Sequence, residues 1–239
     1  MTRNEDAGRI ATWTFAMLAL LLAWDASGLD LALARLAGTP AGFPLRSNFF
    51  LVAVMHEAAR FASWALLLML FAGACRPMGL LRRLGTGDRW QLAISALASI
   101  AVVSSIKSHS ATSCPWDLDL FGGVARHVSH WSWGLDDGGS GRCFPAGHAS
   151  AAFAYVGGYF VWRRRFPTIA RRWLATALAF GFALGFAQQL RGAHYLSHTL
   201  WTGSICWSTG WAIDGIRHGL AHLAGLGWLR PTANRRSRR

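Results

Sequence analysis

Lysine is almost missing from this chain of 239 residues. Lys107 stands alone among 24 basic residues, and the rest are arginine. Charge of either sign is scarce too, at 15% of residues against about 25% for an ordinary soluble domain. Tyrosine is down to 3, while Trp and Phe reach 13 and 14. Four cysteines are too few for a disulfide-stapled mini-protein. A hydrophobic share of 53% excludes disordered and collagen-like chains. It also argues against a soluble globular domain, because one core cannot hide that much apolar surface.

The net charge of +13 invites a nucleic-acid reading. That reading fails on distribution, because the arginines sit in clusters between apolar runs and not along one polar face. No nucleic-acid partner is expected. Basic clusters beside apolar spans are what an anionic cytoplasmic leaflet selects.

Six apolar stretches approach the roughly 20 residues needed to cross a bilayer. They cover residues 10–28, 49–75, 90–106, 148–162, 173–190 and 199–216. The second is read as a span from about Arg60, after a polar turn carrying His56 and Glu57. The first lacks a small-residue cleavage site and is expected to persist as a span. The fold class expected is all-α: a polytopic membrane protein of six transmembrane helices, forming a single domain over residues 1–239. With the N-terminus inside, most basic residues fall on that side, including Arg82, Arg83, Arg163, Arg164, Arg165, Arg171 and Arg172. The positive-inside rule then puts both termini in the cytoplasm and segment 108–146 in the periplasm. A bacterial inner membrane is the expected location. Residues 30–37 read either as an interfacial helix or as an ordinary loop, and the basic tail 230–239 reads as frayed.

Ionisable groups at membrane depth are costly, so their positions are informative. Lys107 closes the third span. Pro145-Ala146-Gly147-His148 opens the fourth. Gln188, Arg191, His194 and His198 bridge the fifth and sixth. Three segments thus bring a lysine, an arginine and three histidines to one depth, without an acidic cluster. Such a pocket suits a phosphate ester or diphosphate. Proline and glycine where a helix begins suggest free N–H groups for an anion. His194 and His198, four apart, share a helix face. Imidazole can attack phosphorus or pass protons near neutral pH. The same His-x3-His spacing also fits a metal or haem site.

These motifs resemble the type 2 phosphatidic acid phosphatase superfamily, which includes the vanadium haloperoxidases. The family's Lys-x6-Arg-Pro reads Lys107-x6-Cys114-Pro115 here. Its Pro-Ser-Gly-His reads Pro145-Ala146-Gly147-His148, and its Ser-Arg-x5-His-x3-Asp reads Ala187-Gln188-x5-His194-x3-His198. Spacing is kept in every motif, over residues 107–211. The resemblance implies a metal-free, cofactor-free phosphoryl transfer in two steps. His194 would be the nucleophile, His148 the proton donor and acceptor, and His198 the partner that fixes the tautomer of His194. The phosphate cradle is expected from Lys107, Gly147, Ala146 and Gln188, with Arg191 or Arg142 replacing the missing family arginines. The implied substrate is a phosphorylated envelope lipid in the bilayer: lipid A-type, undecaprenyl diphosphate, or phosphatidylglycerophosphate and phosphatidic acid. A silent relative that binds or flips lipid is the alternative.

His198 cannot supply the charge of the family aspartate, so Asp117, Asp119 or Glu57 is a candidate substitute. His56, Glu57 and Arg60 form either a self-satisfied surface cluster or a lining of the site. His127 and His130 read as surface residues. Cys114 and Cys143, both in the outer segment, are a possible disulfide tying the first motif to the second. Trp131, Trp133 and Phe144 read as an interfacial aromatic belt, and 134–141 as a mobile loop.

Overall fold

The computed structural model describes residues 3–132 and 134–226; Trp133 and the tail 230–239 lie outside them. Among the described residues, eight α-helices carry the chain. They are α1 (Arg3–Ser27), α2 (Leu29–Ala37), α3 (Ala59–Cys75), α4 (Thr86–His109), α5 (Ser150–Phe153), α6 (Gly158–Trp162), α7 (Pro167–Leu190) and α8 (Leu196–Leu226). Prolines at 40, 44, 77, 115 and 145 fall between these helices, and Pro167 sits in the first turn of α7. There its missing N–H costs nothing. The long helices are therefore free of internal breakers.

Four helical segments are long and apolar enough to cross a membrane: Gly8–Ser27, Phe50–Arg83, Thr86–His109 and Pro167–Leu190. This corrects the expectation of six. Residues 148–162 are helical but broken, with a 3-10 turn (Ala154–Gly157) between the short α5 and α6. The 31-residue α8 is long enough but carries Ser197, His198, Thr199, Thr202, Ser204 and Asp214, all buried. Both segments pack inside the bundle, against α4 and α7 among others. A helix that faces protein and not lipid need not be apolar all round.

Small residues let these inner segments approach closely. A Cβ on Gly210 would stand 2.7 Å from the Cα of Gly157, and one on Gly157 would stand 2.8 Å from the Cβ of Ser95. Backbone thus crosses backbone where α4, the 3-10 turn and α8 meet. Around that crossing lies the core: Leu67 and Leu70 of α3, Leu92 and Ala96 of α4, and Phe153, Val156 and Trp162. Outward-facing Phe15, Leu20, Phe61, Leu68, Phe180 and Phe186 stay exposed, an apolar girdle suited to lipid.

Two further differences concern local structure. Residues 29–37 are helical, as one of the two readings had it. The polar turn expected before Arg60 is helical as well, a π-helical stretch (Phe50–Ala58) running straight into α3. His56 and Glu57 are therefore part of a continuous rod. π-helical turns inside long helices recur at functional sites.

Candidate functional site

Five pieces of chain meet at one end of the bundle: the π-helical stretch, the end of α4, the long connection 110–146, the turn before α5, and the loop between α7 and α8. The connection is pinned first. Arg142 N donates to Ser110 O at 2.7 Å and Cys143 N to Thr112 O at 2.9 Å, so the returning strand of chain lies beside the departing one. Cys114 and Cys143 are joined in a disulfide with Cα atoms 5.1 Å apart. Asp137 is 4% exposed and accepts from the Ser113 N and Oγ at 2.6 and 2.8 Å. The Gly/Asp-rich segment read as a mobile loop is thereby tied down by a buried carboxylate.

Lys107 leans from the last turn of α4 across the second motif. A Cβ on Gly147 would meet its Cδ at 3.3 Å, so glycine is what lets the lysine stem pass. The Nζ donates to the Arg142 carbonyl at 2.6 Å. Arg142 itself is exposed, in the left-handed region at φ 56°, and reaches the pocket through that carbonyl. Ala146 is wholly buried and its N–H donates to the His198 carbonyl at 3.3 Å. Its backbone joins the second motif to the third. The helix start expected at this motif is also slight, since α5 has only four residues.

The His194 and His148 rings stand 6.4 Å apart, centroid to centroid. His194 lies in the loop after α7, held where Ala193 N donates to Gln188 O at 2.9 Å and Trp116 N to Gly192 O at 2.9 Å. Its Nδ1 is 3.6 Å from the Cys143 sulfur. Burial holds this imidazole well below its usual range; the Lys107 ammonium, His198 and His148 add to the effect, and the Cys143 backbone opposes it. His194 is thus neutral, the nucleophilic form, near pH 7.

Gln188 stands where the family has arginine. Its Oε1 accepts from Arg191 Nη1 at 3.0 Å, and Arg191 Nε donates to the Arg46 carbonyl at 3.0 Å. The two guanidinium groups flank the Trp116 ring, Arg46 at 4.5 Å and Arg191 at 5.8 Å from its centroid. Of the two candidate replacements, Arg191 is the one built into the pocket wall, and it bears electrostatically on His148.

His198 sits among aromatic rings. Its ring is packed against Tyr195 (5.1 Å), Phe144 (5.2 Å) and His130 (5.5 Å), and its Nδ1 is buried without a hydrogen-bond partner. It sits 5.8 Å from the His194 ring, and it is the Cys143 sulfur that meets His194 Nδ1. Phe144, read as part of an aromatic belt, is 5% exposed and stacks on His130 at 4.3 Å.

Sequence reasoning missed Asp25 and His130. His130 is buried, with Nε2 3.3 Å from Asp25 Oδ2. The same Asp25 oxygen accepts from Trp201 Nε1 at 2.8 Å and Trp131 Nε1 at 3.0 Å. An aspartate at the end of an apolar run was the available signal. Of the carboxylates considered, Asp117 binds Trp116 and Ser140, and Asp119 is exposed. Glu57 is the one beside the histidines: its Oε1 is 2.8 Å from His56 Nδ1, and the His56 ring lies 3.7 Å from that of His148. Cys114, Cys143 and His194 also bring ligand-type atoms within 4.8 Å of one another, but sulfurs joined in a disulfide offer no thiolate.

An all-α bundle with long apolar helices, consistent with a polytopic membrane protein, holds this basic, histidine-lined pocket at one end. Residues 88–218 match the PAP2 superfamily model, from the first turn of α4 to the Asp214 region of α8, and the chain belongs to that superfamily. It carries a PAP2-family hydrolase domain. No curated protein and no solved structure matches the chain.

Proposed function

We propose that the protein hydrolyses a phosphate ester or anhydride on an envelope lipid through a phosphohistidine, without a metal. The observation that carries this reading is the meeting of Lys107, His148, His194 and Arg191 from separate segments around one small space. The lipid's phosphoryl group enters with its oxygens toward Lys107, Arg191 and the Gly147 backbone. Neutral His194 attacks phosphorus through Nε2, and the bond from phosphorus to the lipid oxygen breaks. His148, kept neutral before substrate binds by burial and its cationic neighbours, takes up a proton once the phosphate's negative charge is in place and gives it to that departing oxygen. Water then attacks the P–N bond while His148 takes its proton, which frees phosphate and restores both rings. The cationic wall stabilises charge on the non-bridging oxygens, where catalysis of this kind gains most.

The clustering of arginine at the opposite end supports a cytoplasmic location for that end, with the pocket at the periplasmic face of an inner membrane. Candidate substrates are lipid A-type phosphates, undecaprenyl diphosphate, and phosphatidylglycerophosphate or phosphatidic acid. Phosphate release from this lipid panel in detergent, with and without chelator, tests the reading. Turnover that survives chelator and vanishes in His194→Ala is expected. Full turnover in that variant would remove His194 as nucleophile, and no release from any lipid would point to a silent lipid binder.

A further inference from the structure

We propose that His56, oriented by Glu57, is a positioning residue for His148: its ring holds the acid–base imidazole in place and keeps water off one face. The inference rests on the hydrolase reading above and adds a fourth segment, outside the matched domain, to the working site.

The His56 ring covers His148 at 3.7 Å between centroids and 33° between planes. His194 is the next ring recorded against His148, at 6.4 Å. The Nδ1 of His148 is buried and without a hydrogen-bond partner among the described residues. No bond at that nitrogen fixes the ring, so face contact does. His56 is in turn paired with its neighbour, at ion-pair distance but without hydrogen-bond alignment. Its Nδ1 is 2.8 Å from Glu57 Oε1, and the other Glu57 oxygen is 2.8 Å from Arg60. A clamped carboxylate, an oriented imidazole and a stacked imidazole thus follow one another into the site. All three clamping residues belong to the rod formed by the π-helical stretch and α3.

The groups facing His148 are His56 and Arg60 from this rod, Lys107 from α4, and Arg191 and His194 from the loop between α7 and α8. Apart from burial, every influence recorded on His148 comes from a cationic or potentially cationic group, and burial is the larger effect. Lifting the His56 ring would admit water and relieve that burial. The ionisation of His148 would then move back toward the ordinary histidine value of about 6.5.

Four variants test this on full-length protein in detergent, with the best lipid of the panel: His56→Ala, His56→Phe, Glu57→Gln and His148→Ala. His56→Ala is expected to lower kcat about tenfold or more with KM within about twofold, as a misplaced catalytic ring does. The limb of its kcat/KM profile that belongs to His148 moves to higher pH. His56→Phe, which restores a ring face, recovers most of kcat and the original limb. Glu57→Gln falls between. Wild-type kcat and an unmoved limb in His56→Ala would overturn the proposal. Equal losses in His56→Ala and His56→Phe would also overturn it, since His56 would then act through its nitrogens on substrate. Should His148→Ala keep full turnover, the acid–base role of His148 fails and this proposal with it, whereas no phosphate release by the wild type from any lipid of the panel would sink the hydrolase reading.

Discussion

Gln188 and Arg191 show how a pocket keeps its charge when a motif loses its arginine. The Gln188 side chain at the motif position accepts a hydrogen bond from a guanidinium three residues on. Arg191→Ala is expected to weaken inhibition by vanadate roughly 10- to 100-fold, the loss of about 1.5–3 kcal/mol for a charge-assisted hydrogen bond. An unchanged inhibition constant would return the role to Arg142. His198 gives the opposite lesson. The motif spacing made it the partner of His194, yet its ring is packed by Phe144, Tyr195 and His130. Restoring the family residue by His198→Asp would bury a carboxylate among aromatic rings, so a lowered unfolding temperature and lower turnover are expected. Turnover equal to or above wild type would show that this position does orient His194. The identities of Lys107, His148 and His194 were legible because spacing survives substitution. The partners of His198 were not, because Phe144 and His130 reach it from a connection whose path no local pattern encodes.

The connection 110–146 holds the pocket through loop closure and buried bonds, with little regular structure of its own. The Cys114–Cys143 disulfide closes a stretch of 29 residues, and its inner sulfur touches the His194 ring. Cys114→Ser with Cys143→Ser is therefore expected to cost about 2–4 kcal/mol of stability. It should also reduce turnover, since Cys143 packs the face of His194 opposite the reacting nitrogen. Calorimetry together with phosphate release checks both, and a loss of stability with full turnover would confine the bridge to scaffolding. Among the helices, α4 and α7 were readable because they are long, apolar and free of internal proline. The break between α5 and α6 was less visible. Gly157 and Gly158 read as part of an apolar run, and only the approach of Gly210 and Trp173 explains why glycine is needed there. The same holds for the π-helical stretch, where composition marks His56 and Glu57 as a polar interruption but does not say that the helix winds through it.

At the scale of the whole molecule the bundle is polarised. One end gathers imidazoles, an ammonium and guanidinium groups; the other holds one buried carboxylate in a network of polar partners. Asp214 of α8 is 3% exposed and accepts from Gln91 of α4 at 3.0 Å and from Arg163, just past α6, at 2.8 Å. Arg217 donates to both Gln91 and Asp88. This network clamps three elements at the end away from the pocket. Two of the three, α4 and α8, carry Lys107 and His198 toward the other end. Its removal therefore separates two kinds of dependence. Asp214→Ala would remove the carboxylate that Arg163 and Gln91 both bind, a loss of about 3–5 kcal/mol for a broken buried ion pair. If the bundle transmits position as a rigid rod, kcat falls as well as stability, and vanadate affinity falls with it. If each end is fixed locally, as the disulfide, the Asp137 bonds and the Gln188–Arg191 contact argue, kcat and vanadate affinity stay at wild-type values below the new unfolding temperature. The second outcome is the expected one. Turnover and vanadate inhibition measured well below the midpoint distinguish the two, and a loss of kcat there would show that the site depends on the far clamp.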